Sequence, residues 1–401
     1  MNLKKWLRIA FLNILIVAAI GIVLRYKIAY SLTFIDQKHL LHGHSHFAFC
    51  GWITQALMAL IVARLSTYRG LDLFKRYNIL LFANLICAYG MLLSFPVQGY
   101  GAISITFSTA SLIVSYVFAV YVWKDIKHCS GDIIVFSWFK AATLFNALSS
   151  LGALGLAFMM ISKIANENWY LAAVYFFLHF QYNGWFCFAI LGLLFEKLAE
   201  LKVQSSTLRN IFRLFFVACI PAYFLSALWM PMPTWVYVLV VWAAILQVWA
   251  WGWATMLLMK KSKTIKAQIS PIAFTIVKLS LLAFTIKLLL QLASTIPSLS
   301  TLTFGFRPIV VGYLHLVLLG FTSLFILGYT IHTGSIENNR RHRVGISIFI
   351  SGIILNEIAL MIQGITAMKY VVVPYINEIL LLIAIIMFSG LLLINIPNSK
   401  N

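Results

Sequence analysis

The sequence predicts an all-α integral membrane protein of twelve transmembrane helices, arranged as three pseudo-repeats of four, with both termini cytoplasmic. Composition is the first ground. Of 401 residues, 62% are hydrophobic and 10% charged, and the mean hydropathy is +0.94. A water-facing domain needs far more polar surface than that. The placement of the basic residues is the second ground, and a motif that returns at near-equal spacing is the third.

Apolar runs long enough to cross a ~30 Å hydrocarbon layer recur from end to end. They predict helices over residues 7–26, 39–64, 77–95, 101–124, 133–161, 169–196, 209–229, 235–259, 270–296, 307–333, 344–367 and 375–396. The first run follows Lys4, Lys5 and Arg8, as a signal peptide would. No small-residue cleavage site comes after it, and it leads into Arg25 and Lys27, so a retained helix is expected. Loops are short throughout, which makes residues 1–401 one polytopic domain. The five cysteines stand singly with no CxxC pair, which predicts neither a disulfide framework nor a zinc site.

A net charge of +20 raises the question of a nucleic-acid partner, but the charge follows the loops. With the N-terminus inside, 21 of the 30 Lys and Arg residues fall in inner segments. They include Arg64, Arg69, Lys75 and Arg76, the run from Lys197 to Arg213, Lys260 to Lys266, Arg340, Arg341 and Arg343, and Lys400. Six are outer (Arg25, Lys27, Lys38, Lys163, Arg307 and Lys369), and Lys140, Lys278 and Lys287 fall within helices. This is the positive-inside pattern of a multi-pass protein of the cell inner (cytoplasmic) membrane. The expected partner is the lipid bilayer, anionic lipid included, with no nucleic acid.

Three segments share the pattern H-x4-G-aromatic. They run from His46 to Gly51 and Trp52, from His179 to Gly184 and Trp185, and from His315 to Gly320 and Phe321. Each falls on the second helix of a group of four, and Pro96 and Pro231 recur at the third-to-fourth turn of the first two groups. Self-similarity at a fixed period points to repeated units, here about 1–130, 131–265 and 266–401. The three histidines would then share one depth in the outer half of the bilayer. The glycine after each would leave room for a neighbouring helix or a flat ligand.

Four of the nine histidines gather in His39-Leu-Leu-His42-Gly-His44-Ser-His46. On a helix His39, His42 and His46 line one face and His44 points roughly the opposite way. Neutral imidazole binds haem iron, copper and zinc. A single membrane histidine is as readily a hydrogen-bonding tie, but the set of His42, His46, His179 and His315 favours a cofactor. His39 and His44 are as readily interfacial, and His128, His332 and His342 are expected in loops.

These residues resemble the haem-copper oxidase subunit I superfamily, within it the NnrS-like and nitric-oxide-reductase-like branches. His44-Ser-His46-x4-Gly-Trp is similar to the NnrS-like H-x-H-x4-G-aromatic signature, and His315-x4-Gly to the later single-histidine motif. The resemblance covers almost the whole chain. It implies three arcs of four helices about a pseudo-threefold axis and electron-transport or nitric-oxide- and oxygen-related chemistry, with a redox partner protein. It also implies haem b held by His46 and His315, and copper or a second metal at His179 with His42 or His39. The copper motif is incomplete: residues 209–229 hold no histidine where oxidases carry a pair, and helix 10 has His315 alone. Asn183 stands where some oxidases have a cross-linked tyrosine. A complete oxygen-reducing site is therefore not expected, and whether the chain is an enzyme stays open.

Arg307, at the outer start of helix 10, suits a haem propionate or an interface anchor equally. Glu357 and Lys287 are charges within helices, fit for proton relay or for pairing with each other. Two other classes compete with the haem protein. One is a proton- or metal-coupled transporter and the other a cofactor-free assembly or scaffold protein of the same fold.

Overall fold

A computed structural model describes residues 1–130, 133–300, 306–337 and 339–396. Among them eleven helices are each long and apolar enough to cross a membrane. They are α1 (Leu3–Tyr30), α2 (Gln37–Arg69), α3 (Phe74–Gln98), α4 (Ala102–Ile126), α5 (Ile133–Ile161) and α6 (Glu167–Glu200), then α8 (Thr234–Gln268), α9 (Pro271–Ala293), α10 (Arg307–His332), α11 (Arg340–Met368) and α12 (Ile376–Asn395). The twelfth is α7, whose α-helix Ser205–Cys219 continues as the 3-10 turn Pro221–Ala227 after a 44° bend. Pro221 supplies the bend, because a proline has no N–H for the preceding turn. Lys400 and the junction at residues 131–132 lie outside the described residues.

Eleven of the twelve expected spans are single helices, the one expected over 209–229 falls on the bent pair of α7, and several run longer. The helix α8 has 35 residues, about 52 Å at 1.5 Å per residue. Its last turns carry Lys260, Lys261, Lys263 and Lys266, since nothing between the apolar run and Pro271 breaks a helix.

The helices α2 and α6 lie at the centre, with 78% and 83% of their most apolar stretch buried, and α10 joins them at 50%. The other single helices show 22–44%, leaving a broad apolar face for lipid. α12 returns against α1, where Asn395 donates to the Phe11 carbonyl at 3.0 Å, so the last span closes on the first. α11 and α12 approach closely through Gly345 and Gly390, where a Cβ on Gly390 would fall 2.6 Å from the Phe349 nitrogen.

Each central helix widens into a π-helical stretch at the same place. The stretches are Ala48–Thr54, Phe180–Phe186 and Leu316–Ser323, and each starts one or two residues past His46, His179 or His315. A π segment frees backbone carbonyls from the regular ladder, and side chains from neighbouring helices meet them. Asn13 and Asn84 donate to the carbonyls of Gly51 (2.5 Å) and Cys50 (3.0 Å), and Ser280 to that of Phe321 (2.6 Å).

Two tryptophans of the motif tie the central helices together. Trp52 of α2 donates to Ser323 of α10 at 2.9 Å, and Trp185 of α6 donates to Thr54 of α2 at 3.0 Å. In both cases the aromatic one residue past the motif glycine reaches the residue three past the glycine of another helix. The remaining pair at those positions is Phe321 and Cys187, and phenylalanine has no N–H to give.

Protein atoms fill the space beside the motif glycines. A Cβ on Gly184 would sit 2.5 Å from Phe145 Cβ, and one on Gly320 would sit 3.2 Å from Ala283 Cβ. The room the sequence suggested for a flat ligand at Gly184 is thus taken by α5. Gly184→Ala is expected to destabilise the folded protein by about 1–3 kcal/mol through overpacking, measured as a lower midpoint in a detergent unfolding titration. Gly252→Ala, with nothing within 4 Å, serves as the neutral control.

The ends of α2, α4 and α6 are fastened by charge. The Arg64 guanidinium (α2) pairs with Glu196 (α6) at 2.5 Å, and Glu200 lies 3.7 Å away. Asp125 of α4 is 1% exposed and meets Arg69 at 2.5 Å, Arg76 at 3.3 Å and the Tyr77 hydroxyl at 2.7 Å.

Candidate functional site

Asp36 caps α2, accepting from the His39 backbone N–H at 2.7 Å. That bond holds the exposed carboxyl below its ordinary value. The cap therefore contributes fully at neutral pH and is lost as pH falls through the lowered value. With the helix started there, the next turns fix which way each histidine faces.

The face of His39, His42 and His46 turns to the corner between α3 and α4. His46 stacks on Phe95 at 4.5 Å and 8° between planes, and His42 meets the Tyr100 ring edge-on at 4.8 Å. The His39 ring lies where a Cβ on Gly99 would come within 2.4 Å of its Nε2. Among the described residues no hydrogen bond, ring contact or electrostatic interaction joins this ladder to His179 or His315.

His44 takes the opposite face. Its ring lies against α1, where a Cβ on Gly21 would be 3.6 Å away, with an edge towards the Val17 carbonyl. It lies within electrostatic range of the His315 ring and the Arg25 guanidinium, and Arg25 also acts on His315. Of the two, His44 and not His46 is within electrostatic range of the His315 ring. Phe95, Gly99 and Tyr100 cover the face that carries His46, the ligand the family resemblance implied.

Donor chemistry at this pair fits a metal-centred ligand. His315 Nδ1 bonds the Val311 carbonyl at 2.8 Å, so its proton sits on Nδ1 and Nε2 keeps the lone pair. His44 Nδ1 is buried with no hydrogen-bond partner, a state buried polar atoms rarely tolerate. Arg25 offers a planar fork suited to a carboxylate. Arg307 is exposed at the start of α10, so the cation at this site comes from α1. Sequence reading counted Arg25 only as a loop charge because it ended the first helix one residue later. α1 in fact continues to Tyr30.

His179 sits apart and fully buried. Its Nε2 bonds the Cys219 carbonyl at 2.9 Å, and its Nδ1 meets the Asn183 amide at 3.0 Å. With both nitrogens engaged, the ring has no lone pair left for a metal in this arrangement. Among the described residues, no group of three or more His, Cys, Asp or Glu side chains is gathered to hold a metal ion.

Lys287 is 3% exposed, 5.2 Å from the Phe284 ring centroid, and within electrostatic range of Cys187 and Cys219. Glu357 takes its hydrogen bond from Asn356 at 3.2 Å, and no ion pair among the described residues joins it to Lys287. His342, expected in a loop, is 7% exposed in the first turn of α11.

No family model matches the chain, and no curated protein matches it.

Proposed function

We propose that the chain is a haem-binding protein of the cytoplasmic membrane, built on the threefold, oxidase-like plan its motifs resemble, and that one haem b lies between α2 and α10. His44 and His315 would hold it through ring nitrogens, and Arg25 would pair with its carboxylate. The observation that carries this reading is the buried, unpartnered Nδ1 of His44 in the field of a His315 ring held with its own lone pair free. Such a haem would supply an iron that exchanges one electron. The protein's own contribution is to fix the tautomer of His315 through Val311, to set His44 against α1, and to offset anionic charge with Arg25.

Equal placement of the three π stretches, and the two tryptophan bonds that link α6 to α2 and α2 to α10, support the threefold repeat. Positive-inside charge supports cytoplasmic termini. Copper near His179 is left out of the proposal, since both ring nitrogens are engaged. A proton path through Glu357 and Lys287 has less support, because the two residues do not meet.

The test is a reduced-minus-oxidised visible spectrum with iron analysis of detergent-purified protein expressed with ample haem. A sharp six-coordinate b-type spectrum with one iron per chain is the expected outcome. A colourless, iron-free protein sinks the proposal and leaves the transporter or scaffold.

A further inference from the structure

We infer that the inner rim between α1, α11 and α12 is a binding site for the phosphate of an anionic phospholipid. A cavity of about 350 Å³ opens there, within the ~300–1,000 Å³ of small-molecule sites. Its cationic wall is Lys4, Lys5 and Arg8 in the first two turns of α1, and Glu337 is the one carboxylate among its lining residues. None of the three cations belongs to an ion pair among the described residues. Their register is fixed from behind, because Trp6 and Leu7 are buried and Trp6 donates to Asn78 at 2.8 Å.

A second observation points into the same cavity. His342 lines it while 7% exposed; its ring is held towards the Glu337 and Ile394 backbone, and its Nδ1 is buried without a partner. The N-termini of α1 and α11 both lie at this rim, and helix N-termini favour anions. Below the polar wall the lining turns apolar, with Leu7, Phe11 and Ile394. A free phosphate has no use for that floor, whereas the glycerol and first acyl carbons of a phospholipid do. Three cations at the start of a spanning helix also stand at head-group level, where such basic pockets hold anionic lipid. The inference needs the protein to lie in a membrane and is independent of haem.

The experiment measures thermal stabilisation of the full-length detergent-purified protein by phosphatidylglycerol, phosphatidylcholine or inorganic phosphate. Phosphatidylglycerol is expected to raise the melting midpoint at concentrations where the other two do nothing. The triple variant Lys4→Gln, Lys5→Gln, Arg8→Gln is expected to lose affinity by on the order of a hundredfold. The variant Lys260→Gln, Lys261→Gln, Lys263→Gln, with the same loss of charge on the tail of α8, should bind as the parent does. Equal losses in both variants would reduce the site to diffuse attraction and overturn the inference. So would no loss in the first, or stabilisation by inorganic phosphate matching that of the lipid. Should the first variant not fold, the parent's preference for phosphatidylglycerol over phosphatidylcholine and phosphate decides alone.

Discussion

If the proposed haem is bound, His44→Ala is expected to remove its six-coordinate spectrum and at least nine-tenths of the bound iron, and His46→Ala to keep both. Two residues on one helix, two positions apart, point to opposite sides, so the pair separates the two assignments cleanly. His44 shares its surroundings with His315 and Arg25, whereas His46 lies flat on Phe95. Losing that stack costs about 0.5–1.5 kcal/mol of packing, which lowers the melting midpoint without touching the spectrum. His315→Ala behaves as His44→Ala does. Arg25→Gln keeps the ligands and loses haem affinity by about tenfold, the worth of one charge-assisted contact. The readouts are the visible spectrum and iron per chain. If His46→Ala bleaches the protein and His44→Ala does not, the ligand belongs to the Phe95 face and the proposed pocket is wrong.

The other large effect lies at the inner ends. Arg64→Met leaves the Glu196 carboxylate, whose side chain is 3% exposed, without its cation in a membrane-spanning bundle. Removing one partner of a buried pair costs about 3–5 kcal/mol, while Glu200, 3.7 Å from the same guanidinium, keeps its pair with Lys197 at 2.9 Å. Replacing both, as Arg64→Met with Glu196→Leu, removes the stranded charge and recovers most of the loss. Unfolding midpoints in a detergent titration compare both variants with the parent. A single substitution that leaves the midpoint unmoved would mean water reaches Glu196 freely.

The spans were legible because membrane helices announce themselves by length and hydropathy, and the positions of His46, His179 and His315 already marked where the three π stretches begin. Direction was harder to read. Periodicity says that His39, His42 and His46 share a face, but not which neighbour that face meets. Only the fold shows Phe95, Gly99 and Tyr100 beside it. Arg25 was hidden by a helix end placed too early. Glu196 and Asp125 were missed because a carboxylate near a span's inner end looks like a loop residue until its arginine partners are seen. His342 was missed for a like reason: α11 begins at Arg340, several residues before its apolar run.

The tryptophan links have a mechanical consequence. α2 is held on both sides, by Trp52 to α10 and by Trp185 to α6, while α6 and α10 face each other across Phe321 and Cys187 without such a bond. The three-membered ring is therefore an open clasp with α2 as its hinge pin. A lateral load on the bundle is expected to part α6 from α10 first, with the seam between α2 and α10 the last to open.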